Sequence, residues 1–153
     1  DTYRILRALE ILRADPEGRT LTEIKAHFDR HREAPPFRVS KIGLFRERDV
    51  LRTRVIERTH AMLNAGLVDE VKALRAEGLG AWGPMQSVGY AEVQAYLDGT
   101  LPEAQLIEAI VTSTMQLAKR QMTWFRKDTS IQWFDTEKGL DAPLEKAREL
   151  LVT

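Results

Sequence analysis

The most coherent hydrophobic pattern in the chain runs over residues 102–127, PEAQLIEAIVTSTMQLAKRQMTWFRK. Its spacing predicts one helix of about seven turns. On a helical wheel, Ile107, Ile110, Val111, Thr114, Ala118, Met122 and Phe125 share one arc. Gln116, Lys119, Arg120, Thr123 and Lys127 share the opposite arc. Thr100 and Glu103 stand in capping-box spacing, so each side chain is expected to take a free backbone N–H of the first turn. Pro102 fits that first turn, where it loses no hydrogen bond. Charged faces on helices are ordinarily solvated. This one is unusual in two ways: the acidic residues stop at Glu108, and Trp124 sits at the edge of the basic arc.

The rest of the chain is also mostly helical in pattern. Over residues 1–14, Ile5, Leu6, Leu9, Ile11 and Leu12 are expected to pack inward, with Arg4 and Arg7 three apart. Asp15, Pro16, Glu17 and Gly18 break that helix. Thr20 and Glu23 predict a second capping box, opening a helix to about His31. Residues 33–36 read as a linker. Residues 37–44 alternate as a strand does. A helix is expected over 46–64, with Leu51, Val55, Met62 and Leu63 as its apolar side and Gly66 at its end. A short helix follows over 67–77, bounded by Gly78, and then a Gly-rich loop over 79–84. Residues 85–92 lead into a helix ending at Asp98 and Gly99. Gly89 falls inside that pattern, at a cost of about 1 kcal/mol against Ala. A second strand is expected at 130–135 and a last helix at 143–151, capped by Asp141. The fold class is therefore mainly α with two short strands. Two isolated strands make a poor sheet, so their partners are expected in a longer chain.

Bulk properties narrow the function. The 153 residues suffice for one ordinary domain with a core. Formal net charge is zero and there is no Cys, which excludes disulfides and thiolate chemistry. No apolar run is long enough to cross a membrane, and no signal peptide precedes the first helix. A cytoplasmic protein without membrane association is expected, and a monomer. The first residue is Asp, which suits a piece of something longer. His27 and His31 lie one turn apart, as two metal ligands can, but no third ligand accompanies them. Arg54 and Arg58 at i,i+4 are either a tolerated surface pair or an anion clamp. No phosphate loop of the G-x-x-x-x-G-K-[ST] kind occurs, and no nucleophile-and-base arrangement. Arginines, glutamines, a tryptophan and a Gly-Tyr turn suit a polyanion with exposed bases.

Four stretches together are more specific. They are RILRALE at residues 4–10; RVIER at 54–58, continued by Met62, Leu63 and GLVDEV at 66–71; SVGY at 87–90; and AKRQMTWFR at 118–126. In this order they resemble the C-terminal part of the tRNA dimethylallyltransferase family, over residue 1 to about residue 135. The resemblance implies a P-loop-type α/β core carrying a helical insertion, whose N-terminal P-loop half is missing from this chain. Residues 1–32 would be the end of the tRNA-binding insertion, and residues 37–153 the C-terminal part of the core. The implied activity moves a dimethylallyl group from dimethylallyl diphosphate to N6 of an adenine adjacent to the anticodon, with Mg²⁺. By the same resemblance, Arg58 is the catalytic arginine on the diphosphate, assisted by Arg54. The tRNA anticodon stem-loop would be held by Arg4 and Arg7, by Gln86, Gly89 and Tyr90, and by Gln116, Lys119, Arg120, Gln121, Trp124 and Arg126. No metal ligand is assigned to this chain. Met115 departs from the family, which usually has Arg there; a charge near the implied active channel is absent or supplied elsewhere. The alternative is a non-catalytic RNA-binding helical module, or a plain helical interaction domain with solvated cations.

Overall fold

The computed structural model describes residues 1–31 and 39–152. The predicted linker, and residues 37 and 38 of the first expected strand, lie outside the described residues. The chain divides into two compact units, 1–39 and 40–153.

The first unit holds α1 (Thr2–Ala14) and α2 (Leu21–His31). Asp1 caps α1, its carboxylate accepting from the Arg4 N–H at 3.3 Å. Between the helices, Asp15 accepts from the Arg19 backbone N–H at 2.8 Å and from its guanidinium at 2.5 and 3.0 Å. The guanidinium donates twice to Oδ1 while Oδ2 takes the backbone N–H, and these bonds hold the Asp15 carboxyl below its ordinary range. The Thr20–Glu23 capping box forms as expected: Glu23 N–H donates to Thr20 Oγ1 at 3.3 Å, and Thr20 N–H to the Glu23 carboxylate at 2.7 Å. The expected inward packing of α1 does not hold. Ile11 is half-buried, but Ile5 is 62% exposed and Leu9 54%, and Leu6 and Leu12 are exposed too. Two helices cover one stripe of each other and leave any second stripe open.

The second unit runs β1 (Lys41–Phe45), α3 (Arg48–Asn64), α4 (Leu67–Ala76), 3₁₀ turns at Leu79–Ala81 and Gly83–Gln86, α5 (Tyr90–Leu97), α6 (Glu103–Phe125), β2 (Ile131–Asp135), a 3₁₀ turn at Thr136–Lys138 and α7 (Asp141–Val152). The strands pair with one another, in parallel, Lys41 opposite Ile131 and Phe45 opposite Asp135. Parallel strands need a long crossover, and here it contains α3 to α6. Gly43 faces Trp133, whose ring lies across it: a Cβ there would sit 2.5 Å from Trp133 Cε3. Each end of the pair is clasped. Lys41 Nζ meets Asp128 at 2.5 Å, and Asp128 also accepts from Ser130 N–H and O–H. At the other end, Arg46 Nε donates to Thr136 Oγ1, which donates to the Phe45 carbonyl.

The core lies under α4, α5 and α6. Leu67, Val71, Met85, Val93, Leu106 and Ile110 are buried in it, ringed by Met62, Leu63, Tyr90 and Leu97 among others. α3 packs on α6, where Thr59 and Val111 are also buried. Glycines punctuate as expected at Gly66 (φ 99°) and Gly78 (φ 82°), both in the left-handed region.

Three local expectations are corrected. Thr100 does not cap α6; its hydroxyl donates to the Ala95 carbonyl at 2.9 Å and so closes the end of α5, while Pro102 takes the N-cap position of α6. The chain reverses at Gly99 (φ 72°), which keeps Thr100 with the preceding helix. Gly89 is not inside a helix: it is the N-cap of α5 with φ 97° and ψ −55°, and the backbone conformation itself requires Gly. Asp141 is the first residue of α7 and not its cap. Among the described residues no helix is long and apolar enough to cross a membrane.

Candidate nucleic-acid interface

α6 divides along its length. Its first half is fixed by buried Leu106, Ile110 and Val111, and by Arg52 of α3 reaching Glu108 at 2.8 and 2.9 Å. Its second half turns outward. Gln116, Lys119, Arg120, Thr123 and Trp124 line one shallow depression. They fall at i, i+3, i+4, i+7 and i+8, which puts them on one stripe. Trp124 is 73% exposed, with the Phe125 ring edge-on at 5.4 Å. Lys119, Arg120, Arg126 and Lys127 are exposed, and among the described residues no carboxylate pairs with them. An exposed indole beside uncompensated cations on a concave surface can stack a base while neutralising phosphate.

The other residues implied by the resemblance are distributed over four places. Gln121 is exposed but does not line the depression, and Arg126 is the C-cap of α6. Arg54 and Arg58 are exposed on successive turns of α3, with no carboxylate partner among the described residues. Two guanidinium groups kept free on one helix face are available to an anion. Gln86 and Gly89 belong to the turn before α5, and Tyr90 is the first residue of that helix. Gln86 is exposed, whereas the Gly89 N–H donates to Glu92 at 2.7 Å and the Tyr90 hydroxyl donates to Glu70 at 2.5 Å. That bond raises the Tyr90 phenol above its ordinary value, with burial adding to it. Arg4 and Arg7 lie on α1 of the first unit, in exposed pairs with Asp1 at 3.2 Å and Glu10 at 2.9 Å.

Two residues of these sites are not assigned to them by the sequence. Thr123 falls on the basic arc and also lines the depression. Glu70 lies in the GLVDEV stretch, but its link to Tyr90 carries no sequence signal, because it joins residues twenty apart. The His27 and His31 rings stack at 4.1 Å, and His31 Nδ1 lies 2.8 Å from the His27 carbonyl, so that nitrogen is engaged locally. Among the described residues no group of three or more His, Asp or Glu side chains can hold a metal.

Comparison with known proteins places these features. The family model described as IPP transferase matches residues 1–128. The tRNA dimethylallyltransferase of Bdellovibrio bacteriovorus is 49% identical over 139 residues, covering 91% of this chain and 44% of the relative. That of a Synechocystis species is 40% identical over 138 residues, covering 90% of this chain and 43% of the relative. The full-length tRNA isopentenylpyrophosphate transferase of Bacillus halodurans superposes with a TM-score of 0.71 at 29% identity, over 95% of this chain and 50% of that structure. The Staphylococcus epidermidis enzyme of the same description gives 0.70 at 27% identity, over 98% and 48%. The chain thus spans less than half the length of these curated relatives. It belongs to the IPP transferase family.

Proposed function

We propose that this chain is the C-terminal part of a tRNA dimethylallyltransferase, working with an N-terminal P-loop half of the same polypeptide. In this reading the complete protein transfers a dimethylallyl group from dimethylallyl diphosphate to N6 of an adenine beside the anticodon. A C–N bond forms at N6 while the allylic C–O bond breaks, the diphosphate leaves with the bonding electrons, and N6 gives up a proton. Residues 1–32 are the end of the helical insertion, and residues 37–153 belong to the core. The chain alone is inactive. Mg²⁺ is assigned largely to the N-terminal half. The protein is a cytoplasmic monomer.

The observation that carries this reading is the uncompensated cationic stripe of α6 with its exposed Trp124, in a chain so similar to named transferases. An RNA hairpin with splayed bases suits such a surface better than a duplex does, and the target adenine must leave its stack to react. Arg58, free on α3, is assigned to the negative charge that develops on the departing diphosphate, with Arg54 assisting. Gln116, Lys119, Arg120, Gln121, Trp124 and Arg126 hold the anticodon stem-loop, with Gln86 and the turn at Gly89 and Tyr90 as a second contact. Arg4 and Arg7 make a third.

Arg58→Ala in the full-length protein tests the assignment. It is expected to lower turnover far more than RNA affinity, and an equal loss in both would show that Arg58 only binds. The likeness to named transferases supports this reading over a non-catalytic RNA module. Wild-type RNA binding without any prenyl transfer would reverse that choice.

A further inference from the structure

The turn before α5 is braced from several sides. Ser87 O–H donates to the Pro84 carbonyl at 2.7 Å, Gln94 donates to the Met85 carbonyl at 2.9 Å, and Glu92 takes the Gly89 N–H. Those bonds hold the turn to itself and to α5. Among the described residues, only one side-chain hydrogen bond ties it to α4: Tyr90 O–H to Glu70. At the other ends of the same two helices, Arg75 of α4 meets Asp98 after α5 at 2.6 Å.

The hydroxyl chemistry then restricts what Tyr90 can do. A phenol has one proton to donate, and Glu70 holds it. A phosphate diester has no proton to give in return, and it would meet the Glu70 carboxylate as a like charge. The Gly89 N–H is also committed. Of the three residues assigned to this RNA contact, Gln86 alone presents a free, exposed side chain. Glu70 is exposed and among the described residues has no cationic partner, so its carboxylate serves the tyrosine.

We propose that Glu70 is a positioning residue: by accepting the Tyr90 hydrogen bond it fixes the turn at residues 83–90 against α4 and so aims Gln86 at the RNA, while the Tyr90 hydroxyl itself donates to no RNA phosphate. This rests on the RNA-binding reading of the turn given above.

A double-mutant cycle tests it, read as the affinity of the full-length protein for a labelled hairpin of anticodon stem-loop form. Tyr90→Phe keeps the ring in the core and removes only the hydroxyl. Tyr90→Phe and Glu70→Ala are each expected to weaken binding by about threefold to tenfold, and the double variant no further than the worse single. Glu70→Gln retains an acceptor and is expected to keep most of the affinity, a rescue that loss of charge alone would not give. Additive losses would overturn the proposal, because the hydroxyl would then act on the RNA itself. Full affinity in both single variants would overturn it too, provided Arg120→Ala still weakens binding. If Arg120→Ala and Gln86→Ala both bind as the parent does, the RNA reading itself falls.

Discussion

The two halves of α6 share one hydrophobic period and have opposite fates. From Glu103 to about Thr114 the apolar arc is covered: Leu106, Ile110 and Val111 are buried, and Arg52 grips Glu108. From Gln116 to Phe125 the arc continues through Ala118 and Met122, yet Leu117, Trp124 and Phe125 are exposed. The period says which side of a helix is apolar; burial depends on which elements stand beside it. In this unit α3 and α5 pack against α6, and the core cluster takes in residues of its first half. The second half is left with a free cationic stripe and an open indole, a poor arrangement for stability and a good one for RNA. The first half holds the fold and the second presents the surface.

That division can be broken from either side. The largest effect is expected in the covered half: Ile110→Ala should cost about 2–5 kcal/mol of unfolding free energy in a urea titration of the full-length protein. A change under about 1 kcal/mol would mean this half is not the anchor. Gly43→Ala, under the Trp133 ring, is next. A Cβ at 2.5 Å from the indole forces the ring or strand to move, at about 1–3 kcal/mol, and near-UV circular dichroism should report the altered Trp133 environment.

In the open half the signs reverse. Arg120→Ala should leave stability within about 0.5 kcal/mol and weaken hairpin binding by about tenfold, uniformly across loop sequences. Unchanged affinity would remove Arg120 from the interface.

The smallest effect concerns the clasp between the end of α6 and the strands. Lys41 first, and then the Ser130 hydrogen bonds, lower the Asp128 carboxyl from 3.8 to about 2. Its folded value lies below its unfolded one, so in that window the unfolded chain binds more protons. The clasp therefore contributes fully above about pH 4, and its contribution fades as pH falls toward 2. Asp128→Asn should remove that contribution at neutral pH, leave stability near pH 2 almost unchanged, and so flatten the acid limb between those values. An unaltered acid limb would show that the Lys41–Asp128 contact carries no linkage.

What could be read from the residues was what depends on near neighbours. Thr20 and Glu23 are three apart and form their box. Gly66 and Gly78 end helices because their backbone enters a region closed to other residues. The basic stripe of α6 follows from helical spacing alone. The mainly α class with two short strands came from the same periods. Other features depend on distant partners. The parallel pairing of Lys41 with Ile131 joins positions separated by the whole helical crossover. Leu106 joins the core because α4 and α5 stand over it, a fact no wheel contains. Thr100 had two helices to cap, and the reversal at Gly99 gave it to the earlier one. The Tyr90–Glu70 hydrogen bond likewise joins residues twenty apart in sequence.

The account turns on whether the free stripe of α6 neutralises RNA phosphate. The most direct measurement is the affinity of the full-length protein for an anticodon stem-loop hairpin across a salt series, alongside Lys119→Ala/Arg120→Ala. The account predicts that log affinity falls linearly with log salt, with a slope shallower in the double variant by about 0.7–0.9 for each charge removed. The same slope in both proteins, or a flat response in the parent, would contradict it.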